Sequence, residues 1–269
     1  MATPPLEHIW LNGLADSLAA PSDPVAADPA ELMRLAGMEP DTWQAELLRS
    51  DWQRALLLCS RQAGKSTATG ALATYVAQYQ AGALVLLLSA ALRQSQELFR
   101  KVKDFYHALP NRVPVRQESA LQLELVNGSR IVALPGKEAT IRGFSGVDLL
   151  VVDEAARVAD ELYYAVRPML AVSGGRLVAL STPFGKRGFF HSEWTEGGPD
   201  WHRVKITAHD VPRITPEFLE EERRALGEFW FNQEYMCQFM DAVDQVFAYD
   251  VVQEAISREI EPLFGGTYA

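Results

Sequence analysis

The chain has little cysteine: Cys59 and Cys237 are the only two among 269 residues, far apart and without metal-like spacing. That excludes a disulfide framework and a thiolate zinc site, and it suits a reducing interior. Long apolar runs are missing too. The longest, residues 83–88, falls far short of the roughly 18 residues that indicate a membrane span, so no membrane role is expected. The opening MATPPLEHIWLNGLADSLAAPSDP lacks the basic start and apolar stretch of a secretion signal. Positive charge is in deficit, 25 Lys and Arg against 35 Asp and Glu, for a net charge of −10. A basic coat over the whole surface is thereby excluded, while a local basic groove is not. No internal repeat is present.

What is there is a chain with 48% hydrophobic residues, enough for one sizeable core. Residues 1–28, rich in Ala, Pro, Asp and Ser, read as a flexible arm. DPAELMRLAG predicts a helix capped by Asp28 and closed by Gly37; EPDTWQAELLRS predicts another, capped by Asp41 or Thr42. The pattern then changes. Continuous apolar runs at 54–59, 83–89, 148–155 and 176–183 predict buried strands, the first two leading into helical patterns. Such strands belong to a mostly parallel sheet covered by helices on both faces. Asn127-Gly128 between two apolar stretches predicts a β-hairpin. Residues 201–208 read as a last strand and 215–240 as a C-terminal helix capped by Thr215 and Pro216.

Between the first strand and its helix lies CSRQAGKST. It follows the phosphate-loop pattern G-x-x-x-x-G-K-[ST], except that Cys59 stands in place of the first glycine. A strand turning through such a loop into a helix aims backbone N–H groups and the helix dipole at one point, where an anion binds. Gly64 permits close approach of phosphates, Lys65 supplies a mobile charge, and Ser66 offers a hydroxyl to Mg²⁺. Ser60, Arg61, Gln62, Ala63, Gly64, Lys65, Ser66 and Thr67 are the expected ATP contacts. The fold class expected is therefore α/β, a P-loop NTPase of the ASCE or RecA-like type.

The second element is DLLVVDEAA, which brings Asp153 to a strand end and Glu154 beside it. Asp153 is the expected Mg²⁺ partner and Glu154 the base that activates the attacking water. ALSTP follows, where Ser181 and Thr182 are placed to sense the γ-phosphate, although a plain turn has the same composition. Phosphoryl chemistry also calls for an arginine. Arg61 within the loop and Arg142 in ATIRGFSG are the candidates, Arg142 as a finger acting on a neighbouring subunit and Arg61 as a phosphate sensor. Gln44 has the paired donor and acceptor that read an adenine edge, and equally the character of an ordinary helix residue. PFGKRGFF reads as a mobile loop, and Lys101, Lys103, Arg112, Arg116, Lys186 and Arg187 are candidate DNA-backbone contacts.

The deviant loop, LLVVDEAA, LVALSTPFGKRGFFHSEW and FNQEYMCQFMDAVDQVF together resemble the large terminase subunit of tailed bacteriophages, over about residues 40–247. In that family the first glycine is often replaced and an arginine inside the loop is usual. The resemblance implies an ATP- and Mg²⁺-dependent motor that translocates double-stranded DNA into a procapsid in the host bacterial cytoplasm. It implies a ring, a homopentamer when assembled or a monomer as an isolated domain, with the portal protein and the small terminase subunit as partners. It also raises Gln44 to the adenine-reading glutamine, Arg142 to the trans-acting arginine and Ser181-Thr182 to the coupling motif. The organisation expected is an arm over 1–28, an ATPase core over 29–208, a small helical lid over 209–245 and a linker over 246–269. That linker would lead toward a nuclease domain that the chain lacks, so no nuclease activity is expected. Two rivals stand beside this reading: a RecA-like helicase lobe, and an adaptor that binds nucleotide without hydrolysing it.

Overall fold

The computed structural model describes residues 23–135 and 143–241, together with Val251 and Ala255. The first elements are helical: α1 (Pro24–Ala27), α2 (Glu31–Leu35) and α3 (Thr42–Arg49). The apolar run that follows becomes β1 (Arg54–Cys59), and the Gly-Lys loop opens α4 (Lys65–Tyr79). Then come β2 (Leu84–Ser89), α5 (Leu92–Ala108), β3 (Val115–Glu118), β4 (Gln122–Leu125) and β5 (Arg130–Pro135). β6 (Leu149–Asp153), α6 (Asp160–Val166), β7 (Arg176–Ser181), α7 (Gly188–Thr195), β8 (Trp201–Ile206) and α8 (Pro216–Glu234) complete the order. None of the described helices is long and apolar enough to cross a membrane.

The strands form one sheet in the order β3-β4-β5-β2-β6-β7-β1-β8. From β5 to β8 all pairings are parallel, and β3 and β4 extend one edge antiparallel. Strand alternation splits each apolar run between two cores. Ala55, Leu57 and Cys59 enter the layer covered by α3, α4 and α5. Leu56 and Leu58 enter the layer with α6 and α7, where Tyr163 stacks on Phe189 with ring centroids 3.9 Å apart. Because both faces are covered, the central strands are apolar throughout, which is why they were visible as continuous runs.

The order matters for chemistry. β7 lies between β1 and β6, so their C-terminal ends sit on one edge of the sheet two strand spacings apart, roughly 10 Å. At the opposite ends of β6 and β7 the backbones approach closely at Gly175: a Cβ there would lie 1.9 Å from the Val147 carbonyl oxygen, a backbone atom. Gly175→Ala is expected to destabilise the fold by roughly 3 kcal/mol. A urea midpoint equal to that of the parent chain would contradict this.

Several expectations need correction. The arm is not loose over its last residues: Val25 is fully buried, and Tyr79 donates to Asp23 at 2.7 Å. Residues 1–22 lie outside the described residues. α2 starts later than expected, at Glu31 with Ala30 as its cap, because the Asp28 carboxylate accepts from the Ala30 N–H and binds Arg49. The hairpin around Asn127-Gly128 forms as β4–β5 and gains a third strand, β3. The stretch read as a mobile loop turns into α7 at Gly188, with Phe189 and Phe190 buried. α8 keeps its Thr215 cap but ends at Glu234, six residues early, and is broken at Gly227 (φ 76°, ψ 163°), a conformation open only to glycine.

Candidate active site

β1 ends at Cys59, and the chain turns through residues 60–64 into α4, whose N-cap is Gly64. Cys59 is an ordinary strand residue in register with Ile206, so the place where the pattern has glycine demands none. The left-handed positions are Gln62 (φ 61°) and Gly64 (φ 85°). Gly64 is favoured by that backbone conformation, and a Cβ there would also come within 2.5 Å of Gln44 Nε2 and displace that side chain. Gln44 grips the loop from α3: its Nε2 donates to the Gly64 carbonyl at 3.2 Å, and its Oε1 accepts from the Asp41 N–H at 2.9 Å. The Asp41 carboxylate in turn takes two hydrogen bonds from Arg213, at 2.8 and 2.7 Å.

These parts surround a cavity of about 580 Å³. Gln44, Arg61, Gln62, Gly64, Lys65, Ser66, Thr67, Glu154 and Thr182 all line it. Ser60 and Ala63 are fully buried and give it no side-chain surface; the Ser60 N–H is bonded to the Ile206 carbonyl. Asp153 lines an adjoining cavity of about 200 Å³, which shares Ser66, Lys101 and Glu154 with the larger one. Ser181 is fully buried at the end of β7 and lines neither. Arg142 lies outside the described residues.

The electrostatics centre on the acidic pair. Asp153 ends β6 and is buried; that burial, with the neighbouring Glu154 charge, pushes its pKa up to about 6. Glu154 sits in the left-handed region (φ 50°), donates its N–H to Asp153 Oδ1, and holds its Oε1 3.6 Å from Lys65 Nζ. Three buried hydroxyls without hydrogen-bond partners lie at the ends of neighbouring strands: Ser60 after β1, Ser89 in β2 directly opposite Asp153, and Ser181 in β7. Unsatisfied buried polar atoms are rare in folded proteins and mark a place for further polar groups. The described residues contain no cluster of three or more His, Cys, Asp or Glu able to hold a metal. One buried carboxylate beside a hydroxyl and a phosphate loop is instead the donor set of Mg²⁺, which binds through one or two carboxylates, substrate phosphates and water. The residues therefore fit that ion.

Four participants were not assigned a role here by the sequence. Glu234, at the end of α8, accepts from Arg61 Nε at 2.6 Å, and its other oxygen is 4.0 Å from Arg157. Its carbonyl also accepts from the Arg61 N–H, so Arg61 is pinned by backbone and side chain. Arg157 lies 4.0 Å over the Phe184 ring, directly after the Ser-Thr-Pro turn. Arg213 is the third. Lys101, expected as a DNA-backbone contact, is the fourth, and it lines both cavities. The other candidate DNA contacts have neighbours: Lys103 pairs with Glu118, Arg116 with Glu124 and Lys186 with Asp241. Arg112 and Arg187 lie over the Tyr106 and Phe184 rings.

The family model of the terminase large subunit, T4likevirus-type, N-terminal, matches residues 56–253. The large terminase subunit of Thermus phage G20c is 24% identical over 253 residues, 81% of this chain and 52% of the relative. That of Escherichia phage T5 is 28% identical over 132 residues, covering 47% and 30% of the two chains. The chain thus spans about half the length of the Thermus phage protein. Among solved structures, the large terminase ATPase domain of Thermus phage P74-26 superposes with a TM-score of 0.67 at 22% identity, over 78% of this chain and 98% of that one. A large terminase from a thermophilic bacteriophage, in complex with ADP, gives 0.62 at 13% identity, over 74% and 53%. The parallel sheet, the phosphate loop and the acidic strand end thus occur together in a chain that belongs to the terminase large subunit family, T4likevirus-type, N-terminal.

Proposed function

We propose that this chain is the ATP-hydrolysing part of a viral DNA-packaging motor. The observation that carries the reading is the convergence of Lys65, Ser66, Glu154 and Thr182 on one cavity, with Asp153 behind them. Lys65 binds the β- and γ-phosphates, and the loop's N–H groups complete the anion cradle. Gln44 and Arg213 lie with Met33 and Met38 along the same cavity, a surface suited to the adenine end. Ser66 and Asp153 would hold Mg²⁺, which would supply neutralising charge to the phosphates. Glu154, released from Lys65 when phosphate takes its place, orients and deprotonates water. Thr182 and Ser181 couple the cleaved γ-phosphate to the chain beyond β7. Arg142 serves as the trans finger and Arg61 as the sensor. The lid over 209–245 contains α8, whose end grips Arg61.

The same reading carries the wider assembly. The chain works as a ring, a homopentamer, around double-stranded DNA. It meets the portal protein and the small terminase subunit in the host cytoplasm. Lys103, Arg112, Arg116, Lys186 and Arg187 remain its proposed backbone contacts.

Equilibrium binding of a fluorescent ATP analogue with magnesium tests the core of this. Lys65→Ala is expected to weaken binding by roughly 10- to 100-fold, the worth of a charged hydrogen bond to phosphate. Binding by the parent chain with no phosphate release beyond background, even when the protein is concentrated, would favour a nucleotide-gated adaptor.

A further inference from the structure

We propose that Lys101 is a second phosphate-binding cation of the nucleotide site, reaching the triphosphate from helix α5; the inference rests on reading the cavity as that site. The sequence gives no hint of it, because Lys101 belongs to none of the phosphate motifs and sits amid the charged face of an amphipathic helix. The fold brings it in. Leu98, Val102 and Phe105 on α5 are buried, so the helix is anchored against α4 and cannot swing away. Gly70 on α4 makes the approach close: a Cβ there would lie 3.3 Å from the Lys101 Cβ and 3.6 Å from the Phe105 ring. With the two helices pressed together, Lys101 Nζ reaches Thr67 Oγ1 at 3.2 Å. Thr67 directly follows Ser66 in the loop.

Charge separates Lys101 from its neighbours on α5. Arg100 pairs with Glu97 and Lys103 with Glu118. Among the described residues Lys101 makes no ion pair; its partner is a neutral hydroxyl, which leaves two ammonium hydrogens for acceptors within the cavities. It lines both the cavity with Lys65 and Thr182 and the one with Asp153. Its charge also acts on Asp153, though less than Lys65 does. A partly enclosed cation that makes no ion pair among the described residues, beside a phosphate loop, is a site for a phosphate oxygen. By the same placement Lys101 is unsuited to the DNA backbone, which it cannot face while directed at Thr67.

The full-length chain carrying Lys101→Met, which keeps the stem and removes the charge, tests this beside Lys101→Arg and Lys65→Ala. Fluorescent ATP and ADP analogues are titrated in low salt, and DNA binding is measured in parallel. Lys101→Met is expected to bind both nucleotides about 10-fold more weakly, with the loss shrinking as salt rises, and to bind DNA as the parent does. Lys101→Arg should stay within about threefold of the parent, because a cation is restored. Melting temperatures without nucleotide show whether the variants are folded, and Lys101→Gln replaces the Met variant if that one is not. Nucleotide affinity unchanged in Lys101→Met but lost in Lys65→Ala would overturn this inference alone. Weakened DNA binding with intact nucleotide affinity would overturn it in favour of a backbone contact. If Lys65→Ala also binds as the parent does, the reading of the cavity itself fails.

Discussion

Glu154→Gln lowers phosphate release at saturating MgATP by about 10³-fold, the middle of the range for losing a general base, while nucleotide binding is retained or tightened. The two halves of this expectation come from one contact. Glu154 Oε1 stands 3.6 Å from Lys65 Nζ, a part-buried pair within the phosphate cavity. Incoming phosphate competes with the carboxylate for that ammonium, so the glutamine variant, which is close in shape but uncharged, offers Lys65 without a rival. The left-handed backbone at Glu154 is a property of the turn and is unchanged by the substitution. Single-turnover phosphate release and analogue binding on the same preparations separate the two effects. A variant that hydrolyses within tenfold of the parent would mean that another group activates the water.

Asp153→Asn has the second large effect, and it acts in opposite directions on stability and activity. The folded-state pKa of Asp153 is raised from 3.8 to about 6, chiefly by burial. The native state therefore holds a proton more readily than the unfolded chain does. This contribution to stability is fully present below about pH 3.8, is lost as pH rises through about 6, and leaves a constant penalty above that. The gap between 3.8 and about 6, taken at 1.36 kcal/mol per pH unit, amounts to about 3 kcal/mol. Asparagine has no charge to bury. At pH 7.5, without nucleotide or magnesium, the variant should be more stable by up to that amount, and the gain should vanish toward pH 4. Urea unfolding of both proteins from pH 4 to 8 checks this; a difference that does not vary with pH refutes it. Hydrolysis should be lost, and MgADP should stabilise the variant less than the parent, because the proposed metal ligand is gone. A functional carboxylate held at a cost to the fold is a familiar trade between stability and activity.

Chain-local chemistry was legible in the sequence. The buried strands announced themselves as apolar runs; Asp153 ends one of them, Glu154 follows it directly, and Lys65 and Ser66 open the helix after the loop that leaves β1. Elements without such a signature were missed. β3, VRQE, is exposed at every position and pairs only with β4. α7 begins with a glycine after Lys-Arg, which reads as a loop until Phe189 and Phe190 are seen to be buried. The rest of the site depends on pairs that no local pattern encodes. Arg61 meets Glu234 across 173 residues, Arg213 meets Asp41 across 172, and Lys101 meets Thr67 across 34. Glu234 stood within a stretch that resembled the family, but a carboxylate near a helix end gives no sign of its partner until the chain is folded.

The double attachment of Arg61 to Glu234 also ties two parts of the molecule to a common fate. Ala208 donates to the Tyr235 carbonyl one residue further on, so the last turn of α8 is sewn to both the sheet edge and the loop. Fraying of that turn by heat, proteolysis or denaturant would unfasten the proposed nucleotide cradle before the central strands give way. Loss of ligand affinity is thus an early warning that runs ahead of global melting.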